Sequence, residues 1–213
     1  VNLLAIDAAG VRAGIAVLAP DGSVPFRRFC PGRPGLIETL PVLLAEAAAH
    51  GGISAVAVTI GPGSFTGLRA ALALAQGFAA AAGLPLLVVT VAEAFGAAFP
   101  VLHRPLWVAI RARRNRIFLL RDGVAEAFAD AEIPRSRVPV ALAGDAANDV
   151  AARLAAGGGN VLLTNARQLD PVWVGQAARA RQAAGLAPHA AQPLYVDPPE
   201  AKRPAAGLRP PPE

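Results

Sequence analysis

The chain has 213 residues, of which 54% are hydrophobic and 16% charged, a balance that excludes an intrinsically disordered protein and allows a sizeable core. The formal charge of +5 is carried almost wholly by arginine, with Lys202 the only lysine; this suits a GC-rich genome and permits contact with nucleic acid without requiring it. Cys30 is the single cysteine, which excludes an intrachain disulfide and a thiolate metal cluster and fits a reducing cytoplasm.

In chain order, strands are predicted at Leu3–Ile6, Arg12–Leu18 and Val24–Phe29, separated by the turns Asp7-Ala8-Ala9-Gly10 and Asp21-Gly22. No basic leader precedes the first strand, which is read as a soluble start. A helix over Gly35–Ala49 places Leu36, Leu40, Leu43, Leu44 and Ala47 at helical spacing, with Pro41 expected to bend it or delay its start. A buried strand follows at Ala55–Ile60, then a glycine-rich loop, a helix over Thr66–Ala82 and a strand over Leu86–Thr90. Ala70–Ala92 lacks charge and imitates a membrane span, but Gly83 and Pro85 interrupt it and Gln76 is polar, so a helix, a turn and a strand are expected and no membrane. Beyond Pro105 the paired strands Leu106–Arg111 and Arg116–Arg121 are joined by a basic turn. Further strands are expected at Val138–Ala143 and Val161–Thr164, with a helix near Ala146–Ala155. Gly157-Gly158-Gly159 reads as a flexible joint. Asp170 caps a last helix that has Pro171 in its first turn and stops at Gly185. The expected division is a first lobe at 1–104, a smaller second lobe at 105–196 whose last helix, about 170–185, is free to pack back on the first, and a disordered proline-rich tail at 197–213.

The loop Gly61-Pro62-Gly63-Ser64-Phe65-Thr66-Gly67-Leu68-Arg69 is the most specific feature. Its glycines allow close backbone approach, and Ser64 and Thr66 can cap the helix start. It is therefore either a well-capped turn or an anion cradle, and it lacks the Gly-Lys-Ser/Thr of a P-loop. Arg69 places a cation where the helix dipole disfavours one, so it should reach toward an acidic group, a partner or solvent. The helix behind the loop has a stripe of Leu68, Leu72, Ala75 and Ala79 and another of Ala71, Leu74, Phe78 and Ala81. Two apolar stripes predict cover on two sides, by this chain's first helix or by a partner.

This loop closely resembles the signature of the TsaB (YeaZ) family. The resemblance continues in Leu4-Ala5-Ile6-Asp7, Cys30-Pro31, Ala75-Gln76-Gly77, Leu84-Pro85-Leu86, Ala109-Ile110-Arg111-Ala112-Arg113 and Gln192-Pro193-Leu194-Tyr195. It implies an α/β actin-like ATPase (ASKHA, RNase H-like) fold of two lobes, the second shortened. It further implies a non-catalytic subunit that pairs with TsaD through the first two helices, works with TsaE, forms a homodimer in isolation and meets tRNA within the complex. ATP and metal are expected on those partners rather than on this chain. Leu36, Leu40, Leu43, Leu44, Leu68, Leu72, Leu74 and Phe78 are then the partner-interface candidates.

Asp7 and Gly10 are the remnant of a nucleotide loop, since Ala8 and Ala9 stand where the family usually has hydroxyl residues. Arg111 replaces the family's usual Asp, Arg33-Pro34-Gly35 its usual His, and Val196-Asp197 its usual Arg after the Tyr. Arg111, Arg113, Arg114 and Arg116 are candidates for contact with tRNA or an acidic partner, a solvated basic hairpin being the alternative. His50, His103 and His189 lie far apart and supply no metal pair. The rival readings are an actin-fold ATPase or small kinase acting alone, and a direct tRNA-binding module.

Overall fold

The computed structural model describes residues 1–31, 35–112 and 115–196. The chain opens with β1 (Asn2–Asp7), β2 (Arg12–Leu18) and β3 (Phe26–Pro31), an antiparallel meander. Then come α1 (Leu36–Ala48), β4 (Ile53–Thr59), α2 (Phe65–Ala82), β5 (Leu86–Val89) and α3 (Val91–Ala97). β4 and β5 add in parallel beside β1, giving the sheet order β3-β2-β1-β4-β5. Alternation along β1 divides the core. Leu4 and Ile6 face α1 and α2, while Leu3 and Ala5 face the opposite layer. Full burial of each such aliphatic side chain stabilises by about 1.5–3 kcal/mol.

The second sheet contains β6 (Leu106–Arg111), β7 (Arg116–Arg121), β8 (Val124–Ala129), β9 (Val140–Ala143) and β10 (Val161–Leu163), ordered β10-β9-β6-β7-β8. α4 (Ala147–Ala156) covers one face through Val150 and Leu154. α5 (Pro171–Ala183) returns to the first sheet, where Val172, Val174, Ala177 and Ala178 join the same core as Leu3 and Leu18. The fit is close: a Cβ on Gly175 would lie 2.7 Å from a methyl of Leu18, and Arg179 donates to the carbonyls of Leu18 and Ala19.

Several expectations change. Pro41 does not delay α1, which starts at Leu36 and passes through it with the proline exposed and one helical hydrogen bond forgone. Gly157-Gly158-Gly159 is a helix stop rather than a loose joint. Gly159 donates to Leu154 O at 2.8 Å, and Gly158 takes the left-handed conformation at φ 79°. Strand β3 begins at Phe26 and β9 at Val140, leaving Val24 and Val138 exposed. The proline-rich tail and Arg33-Pro34 lie outside the described residues.

Candidate functional site

The signature loop joins the end of β4 to α2, next to the turn that ends β1. Asp7 and Thr59, one from each strand end, are buried polar side chains in an apolar core, and they satisfy each other. Thr59 Oγ1 donates to Asp7 Oδ1 at 2.5 Å, and the amide of Ala9 donates to the same oxygen at 3.1 Å. Burial pushes the Asp7 carboxyl up from 3.8 to about 6, against the hydrogen bonds from Thr59 and Ala9 and the charge of Arg12, which pull it down.

The loop is closed by backbone. Ser64 donates its amide to Ala9 O at 2.7 Å, and its hydroxyl accepts from Gly67 N at 3.3 Å, capping α2. A Cβ on Gly63 would sit 2.3 Å from Ala9 O, and one on Gly67 would sit 2.1 Å from Ala8 O. Gly61 accepts from Val91 N at 2.9 Å, and Ile60 O accepts from Leu194 N at 2.7 Å. Pro62 is buried between them, with Gly61 at φ 112°. The concavity that an anion cradle needs is thus filled by the Ala8–Ala9 backbone, and the capped-turn reading prevails.

What remains of the cleft between the lobes is a space of about 20 Å³ beside Ala9, Gly10, Pro62, Asp145 and Gln168. That holds about one water, whereas small-molecule sites run to about 300 Å³ or more. Ala8 and Ala9 offer no hydroxyl, Asp7 is committed to Thr59, and the glycines press on carbonyls. Among the described residues no three His, Cys, Asp or Glu side chains converge as a metal site. Of the histidines, His50 meets the Phe26 ring at a tilt of 57° and His189 meets Glu93, and the two belong to separate neighbourhoods.

The interface candidates are redistributed. Leu36, Leu40, Leu43, Leu44, Leu68 and Leu72 are buried in the chain's own core and offer a partner little surface. Leu74 and Phe78 are half-buried against that core. The side of α2 left open carries Ala70, Ala73, Gly77, Ala80 and Ala81, and on α1 Ala45 and Val42 are exposed, the latter 56%. By length and composition α2 could cross a membrane; its buried stripe packs on β1, β4 and β5 of this chain.

The basic hairpin makes contacts within this chain. The guanidinium of Arg111 pairs with Asp149 and its amide donates to Asp145 Oδ1 at 2.7 Å, while Arg116 donates to Ala127 O. Asp149 raises the pKa of Arg111, and burial raises that of Asp145. The Arg111 side chain stays 56% exposed; Arg113 and Arg114 lie outside the described residues.

The residue pattern did not reveal two clusters. Glu93 closes a capping box with Thr90 at the start of α3, pairs with Arg181, and has His189 Nε2 3.1 Å from both its oxygens. Thr90-x-x-Glu93 is a legible capping signal that would have placed α3. Arg69 lies over Phe65, 3.9 Å from the ring centroid, and its Nε donates to Tyr195 Oη at 2.9 Å. No local signal links Tyr195 to α2.

The model of one family, described as TsaD, tRNA N6-adenosine threonylcarbamoyltransferase, matches residues 35–184. Among curated proteins none matches. Among solved structures, YeaZ from Pseudomonas aeruginosa superimposes with a TM-score of 0.70 at 21% identity, covering 91% of this chain and 99% of that one. A second structure, an uncharacterized protein with similarity to peptidase YEAZ from Pseudomonas aeruginosa, gives a TM-score of 0.71 at 21% identity, covering 92% and 99%. The two-sheet architecture is therefore the actin-like, RNase H-like fold that the signature loop led us to expect.

Proposed function

Because the chain belongs to the family described as TsaD, tRNA N6-adenosine threonylcarbamoyltransferase, we propose that it serves tRNA threonylcarbamoylation as a TsaB-type subunit rather than as the catalyst. In this reading it supports a catalytic TsaD subunit in the cytoplasm, works alongside TsaE, and meets tRNA only within the complex. ATP and metal are then held by those partners, and the isolated chain pairs with itself.

The observation that carries the reading is the open side of α2. From Ala70 to Ala82 the helix has no charged residue, and its outward side is built from Ala70, Ala73, Gly77, Ala80 and Ala81. Such small side chains give a surface that a partner helix can approach closely, and a surface this apolar gains by being covered. The filled loop and the cleft of about 20 Å³ support a non-catalytic role, because the geometry that grips phosphate is missing.

The test mixes the purified chain with the TsaD subunit of the same organism and follows association by gel filtration and calorimetry. A complex is expected, and Gly77→Asp should abolish it while leaving the circular dichroism spectrum unchanged, since Gly77 faces open space. The chain alone should transfer no threonylcarbamoyl group to tRNA when given the adenylate intermediate. Failure of the wild-type chain to bind TsaD, or robust transfer by the chain alone, would overturn the proposal.

A further inference from the structure

Residues 186–196 leave the end of α5 as an irregular strap. Arg181 donates to Ala187 O, His189 reaches Glu93, Gln76 Nε2 donates to Ala191 O at 3.0 Å, and Leu194 N donates to Ile60 O. Tyr195 then packs on Phe65 with ring centroids 5.8 Å apart. Between strap and helix lies an open groove of about 530 Å³, with Arg69, Leu72 and Gln76 on the α2 side and Gln192, Pro193 and Tyr195 on the other.

Arg69 is the one charged residue of α2, and no acidic residue occupies the helix's first turn. The dipole works against a cation there, yet the side chain is held in place by the Phe65 ring and the Tyr195 hydroxyl. Its terminal nitrogens bond to nothing, and no carboxylate pairs with it, among the described residues. A guanidinium so fixed has already lost the rotamer freedom that binding would otherwise cost, and it presents a planar fork matched to a carboxylate. Ala73 lines the groove and also belongs to the open side of α2, so whatever covers that side reaches the groove as well.

We propose that the groove between α2 and the strap receives a carboxylate-bearing segment of the partner subunit, its acidic side chain bidentate on Arg69 and its apolar neighbours against Ala73 and Pro193. The proposal rests on the reading that this chain docks a TsaD subunit. Tyr195 is a positioning residue: its hydroxyl and ring hold the guanidinium toward the groove.

Affinity for the purified TsaD subunit is measured by calorimetry at several salt concentrations for the wild type, Arg69→Gln, Arg69→Lys and Tyr195→Phe. Loss of a charge-assisted bidentate pair should raise Kd roughly tenfold in Arg69→Gln and flatten its salt dependence. Arg69→Lys should recover the salt dependence but only part of the affinity, and Tyr195→Phe should fall between Arg69→Gln and wild type. Arg69 is exposed, so all variants should melt as the wild type does. If the wild type binds TsaD and Arg69→Gln binds equally well with the same salt slope, this inference falls while the docking reading stands. If Arg69→Gln keeps its TsaD affinity but weakens tRNA binding by the assembled complex, the anion is an RNA phosphate and the inference is likewise overturned. Absence of any wild-type binding removes both.

Discussion

Replacing Asp7 by asparagine tests the electrostatics of the strand-end site. Both hydrogen bonds at Asp7 go to Oδ1, from Thr59 and from the Ala9 amide, so an amide carbonyl in its place can keep both. The carboxyl of the folded chain titrates near 6 against 3.8 for an ordinary aspartate, chiefly because burial penalises the charge. The sign follows from linkage. Between these values the native state binds the proton that the unfolded state has released, so the contribution is most favourable below about pH 4. It declines as pH rises and reaches its full penalty above about pH 6. At 1.36 kcal/mol per pH unit, the gap amounts to roughly 3 kcal/mol at most. The neutral amide of the Asp7→Asn variant carries no such penalty. The stability of Asp7→Asn relative to wild type should therefore rise by up to about 3 kcal/mol between pH 4 and pH 8, equivalent to roughly 6–12 °C in Tm for a domain of this size. Urea and thermal unfolding of both proteins across this range measure the difference directly, and any fixed offset from the buried amide cancels. A difference that is flat with pH, or that favours wild type increasingly toward pH 8, would refute the argument that Asp7 is a desolvated carboxyl.

The packing sets three further expectations. Gly63→Ala and Gly67→Ala should each destabilise by about 2–4 kcal/mol in denaturant unfolding, because the new methyl meets a backbone carbonyl at 2.3 Å or 2.1 Å. Gly77→Ala should instead stabilise by up to about 1 kcal/mol, since nothing lies near its Cβ and alanine is the better helix former. Leu72→Asp should unfold the chain or come close to it, as Leu72 is 5% exposed, whereas Ala73→Asp should leave the melting curve nearly unchanged.

Much of the fold was legible because its signals are local. The apolar run Leu3–Ile6, the Asp21-Gly22 turn, the leucine spacing of α1 and the Asp170-Pro171 helix start each depend on near neighbours. β8 was missed because Val124–Ala129 mixes exposed and half-buried positions with Glu126, which weakens the apolar period. α3 was missed as a short helix directly after a strand, although Thr90 and Glu93 announce it. Which stripe of α2 faces outward was not legible at all. Leu72 and Leu74 look equivalent in the sequence, and only the position of the sheet buries one and leaves the other half-exposed.

The same limit explains the signature loop. Its composition, glycines with hydroxyls before a helix, is shared by anion cradles and by packed turns, and nothing within the loop separates them. The deciding atoms belong to Ala8 and Ala9, far away in sequence, whose carbonyls occupy the space beside Gly63 and Gly67. Had a hydroxyl residue stood at 9, beside the cleft, the turn would offer a polar side chain there and the phosphate reading would recover physical support. Ala9 removes that option, while the carbonyls of residues 8 and 9 close the loop. A missing side chain at Gly63 and Gly67 admits this chain's own backbone, while at Gly77 it leaves a helix surface open for another molecule.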